Sequence, residues 1–137
     1  SAAALLAGIP PQAIDKVWGV AKIYETYVGA KKFESDDETF KIIRNIGKEY
    51  GATTGRPRQC NWLNWDFLEK SIKVNGVTDL VFNKMDVLRQ INKWTLIHKG
   101  KEITFDTEGK MKKWIVQKAN LLPYNPNVYF SGDPNGL

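Results

Sequence analysis

The sequence predicts an α/β fold with a small β-hairpin, and three features support this class. Apolar side chains recur at helical spacing between residues 65 and 72. Shortly afterwards, VTDLVF at residues 77 to 82 is β-branched and almost wholly apolar, which is typical of a strand buried on both faces. The segments WTLIH and KEITF flank a Lys-Gly turn, as the two strands of a hairpin do. A helix followed at once by a buried strand indicates an α/β protein.

The first fifty residues are predicted to form two helices. Two prolines suit the first turn of a helix over residues 11 to 25. Its apolar face would carry Ile14, Val17, Trp18 and Ala21. Ser35 and Glu38 have the spacing of a capping box at the start of a second helix, which Gly51 would stop. The apolar face of that second helix would carry Phe40, Ile43, Ile46 and Tyr50.

The remaining elements follow from caps, turns and prolines. A third helix would bury Trp65, Leu68 and Ile72. Asn61 or Asn64 would cap this helix and Gly76 would stop it, while Gly100 would lie in the hairpin turn. A last helix from Met111 to Leu122 would end before two prolines, and NVYF would form a final strand. The inward or edge-covering face of this helix would carry Trp114, Ile115, Lys118 and Leu122.

Composition restricts the function classes. A chain of 137 residues that is 42% hydrophobic can bury a core of its own, and no repeat or linker divides it. It has no apolar run near the roughly 18 residues of a membrane span, so we expect a cytosolic protein without a membrane partner. One cysteine, Cys60, and one histidine, His98, exclude a disulfide framework and a zinc cluster, and Cys60 is expected to be a small, semi-buried apolar residue. The net charge of +5 suits anionic ligands.

The predicted strand at residues 77 to 82 runs directly into an N-K-x-D sequence, Asn83 to Asp86. A carboxylate at the carboxyl end of a buried strand can accept two hydrogen bonds from the ring N–H and the amine of guanine, while the lysine stem lies across the base. A capped turn after a strand is the alternative interpretation. The position at a strand end favours a nucleotide site.

A second motif, GATTGRPR at residues 51 to 58, is named the arginine loop. Paired guanidinium donors bind carboxylate or phosphate, and threonine hydroxyls and glycine N–H groups add neutral donors. Proline between the two arginines lowers the entropy lost when the loop orders around a ligand. Taken alone, the motif would be interpreted first as two solvated arginines on a surface loop. The terminal Ser131-Gly132-Asp133 turn after NVYF could approach a ligand at the same sheet edge, although alone it is an ordinary turn.

These motifs occur together in one order. The stretch GVAKIYETYVGAKKF is followed by GATTGRPR, then by WL and a predicted helix, and then by VNGVTDLVFNKMDVL. This series resembles the carboxyl-terminal part of the adenylosuccinate synthetase family. The family's pattern is a T-T-G-R-x-R loop, a strand ending T-K-x-D-V-L and a terminal S-x-G-P turn. The resemblance implies that residues 1–137 are the carboxyl-terminal portion of a P-loop-NTPase-like sheet flanked by helices, with the amino-terminal phosphate-loop half absent.

The resemblance also implies an activity: GTP-dependent ligation of L-aspartate to IMP, giving adenylosuccinate, GDP and phosphate in purine biosynthesis. Mg²⁺ ligands and catalytic residues would lie outside this chain, so the chain alone is expected to be inactive. The expected partners are the rest of the enzyme chain and a second copy in a homodimer, without nucleic acid.

Site residues follow from the same resemblance. Aspartate would be bound by Ala52, Thr53, Thr54, Gly55, Arg56 and Arg58, with Arg56 also near the IMP ribose and Arg58 near GTP. Val28 and Gly29 would lie near the IMP ribose. Lys84 and Asp86 would bind guanine, and the GTP contacts would also include Met85, Ser131, Gly132 and Asp133.

Several positions depart from the family's pattern. The chain has Asn83 in place of Thr, Tyr27 in place of Arg, and Asp133 in place of a Gly in the terminal turn. Asn61 and Asn64 replace a usual Gly and Asp. The short spacing from Asp86 to the end resembles compact archaeal and viral forms, some of which act on dGMP and yield a 2-amino analogue. This substrate variant therefore stays open.

A rival interpretation is a basic GTP- or RNA-binding module without catalysis. Five tryptophans and 20 Lys and Arg residues are compatible with base stacking and phosphate contacts. However, the basic residues are scattered among 15 acidic ones instead of forming a block. The chain does not begin with Met, which is compatible with a fragment. A G-D-E-G-K-G-like stretch upstream would distinguish the ligase from the binding module.

Overall fold

A computed structural model describes residues 16–132, which form two β-sheets and the helices packed against them. The first sheet is wholly parallel and has the strand order β1 (Trp18–Lys22), β4 (Asp79–Asn83) and β7 (Asn127–Phe130). Leu80, Val81 and Phe82 of the central strand are buried, as the apolar run predicted. Because the strands are parallel, their carboxyl ends lie at one edge of the sheet.

The second sheet is mixed and has the order β2 (Tyr24–Tyr27), β3 (Gln59–Asn64), β5 (Trp94–His98) and β6 (Lys101–Phe105). β2 is antiparallel to β3, β3 is parallel to β5, and β5 and β6 form the predicted hairpin. Lys99 and Gly100 both have positive φ, 52° and 73°, which matches the right-handed twist of the two strands. The α/β class with a small hairpin is therefore confirmed.

Four helices pack on these sheets within residues 16–132: α1 (Thr39–Ile46), α2 (Trp65–Asn75), α3 (Met85–Ile91) and α4 (Glu108–Ala119). α1 contacts β3 and α3, α2 contacts β5, and α4 contacts β5, β6 and β7. The two sheets share one hydrophobic core, to which Phe40, Trp65, Phe82, Leu96 and Ile115 contribute fully buried side chains. No helix in the described part of the chain is long and apolar enough to cross a membrane.

The predicted helix over residues 11 to 25 is wrong where the structure describes it, since β1 occupies residues 18 to 22 and β2 residues 24 to 27. Residues 11 to 15 lie outside the described part. Exposure in β1 alternates with period two, because Trp18 and Val20 are exposed and Gly19 and Ala21 are partly buried. The helical spacing was a coincidence that parallel pairing with β4 overrides.

The second predicted helix exists but is shorter, and the predicted capping box does not form. Thr39 N donates to Asp37 Oδ1 at 2.9 Å, and Glu38 makes no side-chain cap. The helix ends at Ile46 instead of near Tyr50. Lys48 has a φ of 54°, so the chain turns there and Tyr50 pairs with Pro57 in an isolated antiparallel bridge.

The later helices follow their local signals. Asn64 caps α2 by accepting from Phe67 N at 3.3 Å, and Gly76 ends it with a φ of 63°. The last helix begins at Glu108, earlier than predicted, because Thr107 accepts from Lys110 N and caps it. The final strand NVYF is confirmed as β7. The sequence did not predict β3 or α3.

Candidate functional site

The carboxyl edge of the parallel sheet gathers motifs that are far apart in sequence. Lys22 at the end of β1 lies opposite Asn83 at the end of β4, and Ile23 N donates to Asn83 O at 3.1 Å. Ser131 N, just after β7, donates to Phe82 O at 2.9 Å. The N-K-x-D sequence and the Ser131-Gly132 turn therefore lie side by side at this edge. Ligands of α/β sheets bind at such edges.

The N-K-x-D sequence makes a sharp turn from β4 into α3. Lys84 has left-handed backbone geometry, φ 65°, which is uncommon for a residue with a side chain. Met85 is fully buried, whereas Asp86 is exposed in the first turn of α3. The Asn83 Oδ1 atom is buried and accepts no hydrogen bond within the described residues. This edge therefore presents the solvent-facing carboxylate of Asp86. It also holds the buried Asn83 Oδ1 atom, for which the described residues supply no hydrogen-bond donor.

The arginine loop is a tight hairpin that its own backbone closes. Arg58 N donates to Glu49 O at 3.0 Å, Gly51 N donates to Arg56 O at 2.8 Å, and Gly55 N donates to Gly51 O at 2.8 Å. Gly55 has a φ of 68°, which glycine adopts without strain. The tip presents the exposed residues Ala52, Thr53, Thr54, Gly55 and Arg56 to solvent. The loop therefore offers hydroxyl and guanidinium donors on a closed backbone.

A buried carboxylate, Glu49, lies beneath this loop and is 2% exposed. Its Oε1 atom accepts from Lys22 Nζ at 3.0 Å and from Arg58 Nη1 at 2.8 Å. Its Oε2 atom accepts from the Tyr24 hydroxyl at 2.5 Å. We call Lys22, Tyr24, Glu49 and Arg58 the Glu49 network. The network joins the end of β1, the start of β2 and the arginine loop.

Opposing effects act on the protonation of this network. Burial alone would raise the pKa of Glu49, but hydrogen bonds from Tyr24, Lys22 and Arg58 outweigh burial and hold that pKa below its ordinary value of 4.5. Burial and the hydrogen bond to Glu49 raise the pKa of Tyr24. At neutral pH Glu49 is thus a carboxylate and Tyr24 donates to it.

The two cations of the network remain partly open to solvent. The side chains of Lys22 and Arg58 are 30% and 33% exposed. Arg44 Nε donates to the Arg58 backbone oxygen at 2.7 Å, which further fixes the base of the loop. The guanidinium of Arg58 is therefore held from one side and can face an anion on the other.

The other predicted site residues lie around the same region. Tyr27 pairs with Gln59, so the exposed Val28 and Gly29 lie beside the residue that follows Arg58. Lys84 Nζ donates to the Gly47 backbone oxygen at 3.3 Å, which links the N-K-x-D turn to the end of α1. Gly132 has a φ of 85°, and Asp133 lies outside the described residues.

The sequence prediction missed Glu49, Lys22 and Tyr24. Lys22 and Tyr24 fell in a segment predicted to be helical, and the only signal for Glu49 was its position just before the arginine loop. Cys60 is fully buried, and burial raises the pKa of its thiol to about 11, which disfavours the nucleophilic thiolate form at neutral pH. Residues 16–132 hold no cluster of three or more His, Cys, Asp or Glu side chains that could bind a metal.

Comparisons with known proteins agree on one family. The family model described as adenylosuccinate synthetase matches residues 1–125. The chain is 35% identical over 129 residues to the adenylosuccinate synthetase of Oleidesulfovibrio alaskensis, covering 93% of this chain and 29% of the relative. It is 33% identical over 135 residues to that of Bordetella avium, covering 97% of this chain and 28% of the relative. The chain thus spans less than a third of the length of these relatives.

A solved structure is also similar. The structure of fully ligated adenylosuccinate synthetase from Plasmodium falciparum has a TM-score of 0.72 and 25% sequence identity to this chain. The match covers 93% of this chain and 40% of that one. The arrangement of both sheets is therefore shared with a member of that family over most of this chain.

We expect Glu49→Gln to destabilise the protein by about 2 kcal/mol at pH 7, because charge-assisted hydrogen bonds to Lys22 and Arg58 weaken. The depressed pKa of Glu49 contributes stability above its ordinary value of 4.5 that is lost as the pH falls below it. The variant should therefore also lose part of the wild type's decline in stability as the pH falls below 4.5. Urea denaturation at several pH values measures both effects.

Glu38→Gln is the matched control, because Glu38 is exposed and pairs only with Lys41 in the described part of the chain. Its effect at pH 7 should stay below about 0.5 kcal/mol. A Glu49→Gln protein as stable as wild type at pH 7 would contradict the role given to Glu49.

Proposed function

Because this chain belongs to the adenylosuccinate synthetase family, we propose that it forms part of a GTP-dependent ligase that joins L-aspartate to IMP. The products are adenylosuccinate, GDP and phosphate. The observation that carries the proposal is the pairing of Glu49 with Arg58 of the arginine loop and with Lys22, which lies opposite Asn83 of the N-K-x-D sequence. The remainder of the enzyme supplies the phosphate loop, the Mg²⁺ ligands and the catalytic residues.

The arginine loop suits a dicarboxylate amino acid. Arg56 is exposed at the loop tip, and Arg58 faces the same region from a fixed base. Two guanidinium groups can each bind a carboxylate, while the hydroxyls of Thr53 and Thr54 and the Gly55 N–H add neutral donors. Arg56 would also approach the IMP ribose, and Arg58 would approach GTP. This part of the site orients aspartate so that its amine faces the purine.

The N-K-x-D turn suits the guanine of GTP. Asp86 is exposed at the carboxyl edge of β4, where its carboxylate can accept from the guanine ring N–H and amine. The Lys84 stem would lie along the base, with Met85 beneath the turn. Ser131, Gly132 and Asp133 would approach the base from the end of β7. Val28 and Gly29 would contact the ribose of the acceptor nucleotide.

The direct test of the proposal is an assay of product formation with GTP, aspartate and either IMP or dGMP. We expect the full-length protein to form adenylosuccinate from IMP, and the chain of residues 1–137 alone to form none, because it lacks the phosphate loop. Mass spectrometry identifies the product, and the dGMP reaction detects the 2-amino analogue. Turnover by the pure chain, or no product from the full-length protein with either acceptor, would contradict the proposal.

Arg56→Leu and Arg58→Leu should each raise the KM for aspartate in the full-length enzyme. Loss of a charge-assisted hydrogen bond costs about 1.5 to 3 kcal/mol, which corresponds to roughly 10- to 100-fold weaker aspartate use. Arg56→Leu is the cleaner variant, because Arg58→Leu also removes a partner of Glu49. Steady-state kinetics with varied aspartate give the result.

Lys113→Leu is a suitable control for the arginine variants, since Lys113 is exposed on α4. It removes one positive charge from α4 and should leave the aspartate KM within about twofold of wild type. Unchanged aspartate dependence in both arginine variants would refute the assignment.

Asp86→Asn should shift the nucleotide preference of the full-length enzyme from GTP towards XTP. The new amide NH₂ would oppose the guanine amine, whereas xanthine carries a carbonyl there that can accept from it. A site built on paired hydrogen bonds discriminates by up to about 10⁴-fold, so even a partial inversion is measurable. The measurement is the ratio of kcat/KM for XTP to that for GTP.

The control for this shift is Asp106→Asn, which changes an exposed carboxylate that pairs with Lys110 before α4. It should keep the wild-type ratio. If Asp86→Asn also keeps that ratio while the protein stays folded, Asp86 is a helix-terminus residue and does not bind the base.

A further inference from the structure

Residues 28–34, between β2 and α1, form a segment without regular secondary structure, which we call the 28–34 segment. Val28, Gly29, Ala30, Lys31 and Lys32 are all exposed. Neither a strand ladder nor a helix sets the conformation of this backbone. Hydrogen bonds from side chains elsewhere in the chain therefore hold this backbone in position.

The side chain of Gln59 contacts this backbone with all of its hydrogen-bonding groups. Its Oε1 atom accepts from Phe33 N at 2.7 Å and from Glu34 N at 3.0 Å. Its Nε2 atom donates to Lys31 O at 2.7 Å and to Gly29 O at 3.4 Å. A primary amide has two acceptor sites and two N–H donors, so the capacity of Gln59 is fully used.

Asn61 contacts the same segment from the same face of β3, two residues further on. Its Nδ2 atom donates to Phe33 O at 2.9 Å. The far end of the segment is anchored as well, because the Glu34 carboxylate accepts from Cys60 N at 2.9 Å and pairs with Arg44. Three consecutive residues of β3 thus hold one irregular segment.

This arrangement places the segment next to the arginine loop. Gln59 follows Arg58 directly and pairs with Tyr27 in the β2–β3 ladder. The loop base and the 28–34 segment are therefore connected through a single residue of β3. A shift of the Gln59 side chain would move Gly29 relative to Arg58.

We propose that Gln59 and Asn61 are positioning residues that hold the 28–34 segment in the conformation that binds the acceptor purine nucleotide. The proposal rests on the proposed function, in which Val28 and Gly29 contact the ribose of that nucleotide. Gln59 contributes the larger effect, because it makes four of the bonds and Asn61 makes one. Neither residue touches the nucleotide.

The kinetic test uses the full-length enzyme with Gln59→Leu, which keeps the side-chain size and removes all four hydrogen bonds. The KM for IMP should rise about tenfold, while kcat and the KM for GTP stay within about twofold of wild type. Gln59→Glu keeps the acceptor for Phe33 N and Glu34 N, so its KM for IMP should lie between those of wild type and Gln59→Leu. A fall in kcat, or an equal rise of every KM, would overturn the positioning role.

Two further variants complete this test. Asn61→Gly introduces the family's usual residue and removes the bond to Phe33 O, together with a bond from Trp62 N within β3, so we expect about a threefold rise in the KM for IMP. It also keeps the proposal testable if Gln59→Leu does not fold. Gln117→Leu makes the same chemical change at an exposed position of α4 and should leave every KM unchanged. An unchanged KM for IMP in both Gln59→Leu and Asn61→Gly would overturn the proposal.

Hydrogen exchange tests the contact without relying on catalysis. The amides of Phe33 and Glu34 should exchange at least about tenfold faster in Gln59→Leu than in wild type, and should remain protected in Gln59→Glu. Unchanged exchange of these two amides in Gln59→Leu would refute the claim that the Gln59 side chain holds the 28–34 segment. A wild-type enzyme that forms no product would instead refute the proposed function, so the two failures are distinguishable.

Discussion

The pairing of the buried Glu49 carboxylate is the interaction on which the rest of the candidate site depends. An ionised group at 2% exposure is tolerated only when its oxygens are fully paired, and Glu49 has Lys22, Tyr24 and Arg58 as partners. These partners come from the end of β1, the start of β2 and the arginine loop. Moving any one of these elements would leave a buried charge short of a partner. The requirement to pair Glu49 therefore fixes where the two sheets and the loop meet.

Backbone constraints around Glu49 carry this arrangement to the N-K-x-D turn. A Cβ at Gly47 would lie 2.3 Å from the Tyr24 hydroxyl, so only glycine lets the end of α1 approach the Glu49 network this closely. The Gly47 backbone oxygen in turn accepts from Lys84 Nζ. Lys84 itself adopts left-handed geometry at the end of β4. The two candidate ligand motifs are thus linked through one helix end instead of standing as independent loops.

The candidate site combines exposed hydrogen-bond donors with a fixed base. Thr53, Thr54 and Arg56 face solvent, while backbone bonds close the loop below them and Glu49 holds Arg58. The 28–34 segment is built in the same way, since Gln59 fixes the backbone of the segment while residues 28 to 32 stay exposed. Fixing a loop before the ligand arrives lowers the entropy lost on binding. Such a gain would follow from the hydrogen bonds that the Gln59 side chain of β3 makes to the irregular backbone of the 28–34 segment.

The sequence by itself determined the elements that depend on neighbouring residues. The Asn64 cap, the Gly76 stop, the Gly100 turn and the apolar run of β4 are local signals, and each appears in the structure where it was expected or within a few residues. The arginine loop and the N-K-x-D sequence were recognisable for the same reason. Tertiary structure alone decided β1, whose helix-like spacing yields to pairing with β4, as in the bond from Val17 N to Thr78 Oγ1 across 61 positions. It also decided the Glu49 network, because residues 22, 24, 49 and 58 become neighbours only when the sheets meet. Burial and charge pairing act between distant positions, and no local pattern encodes them.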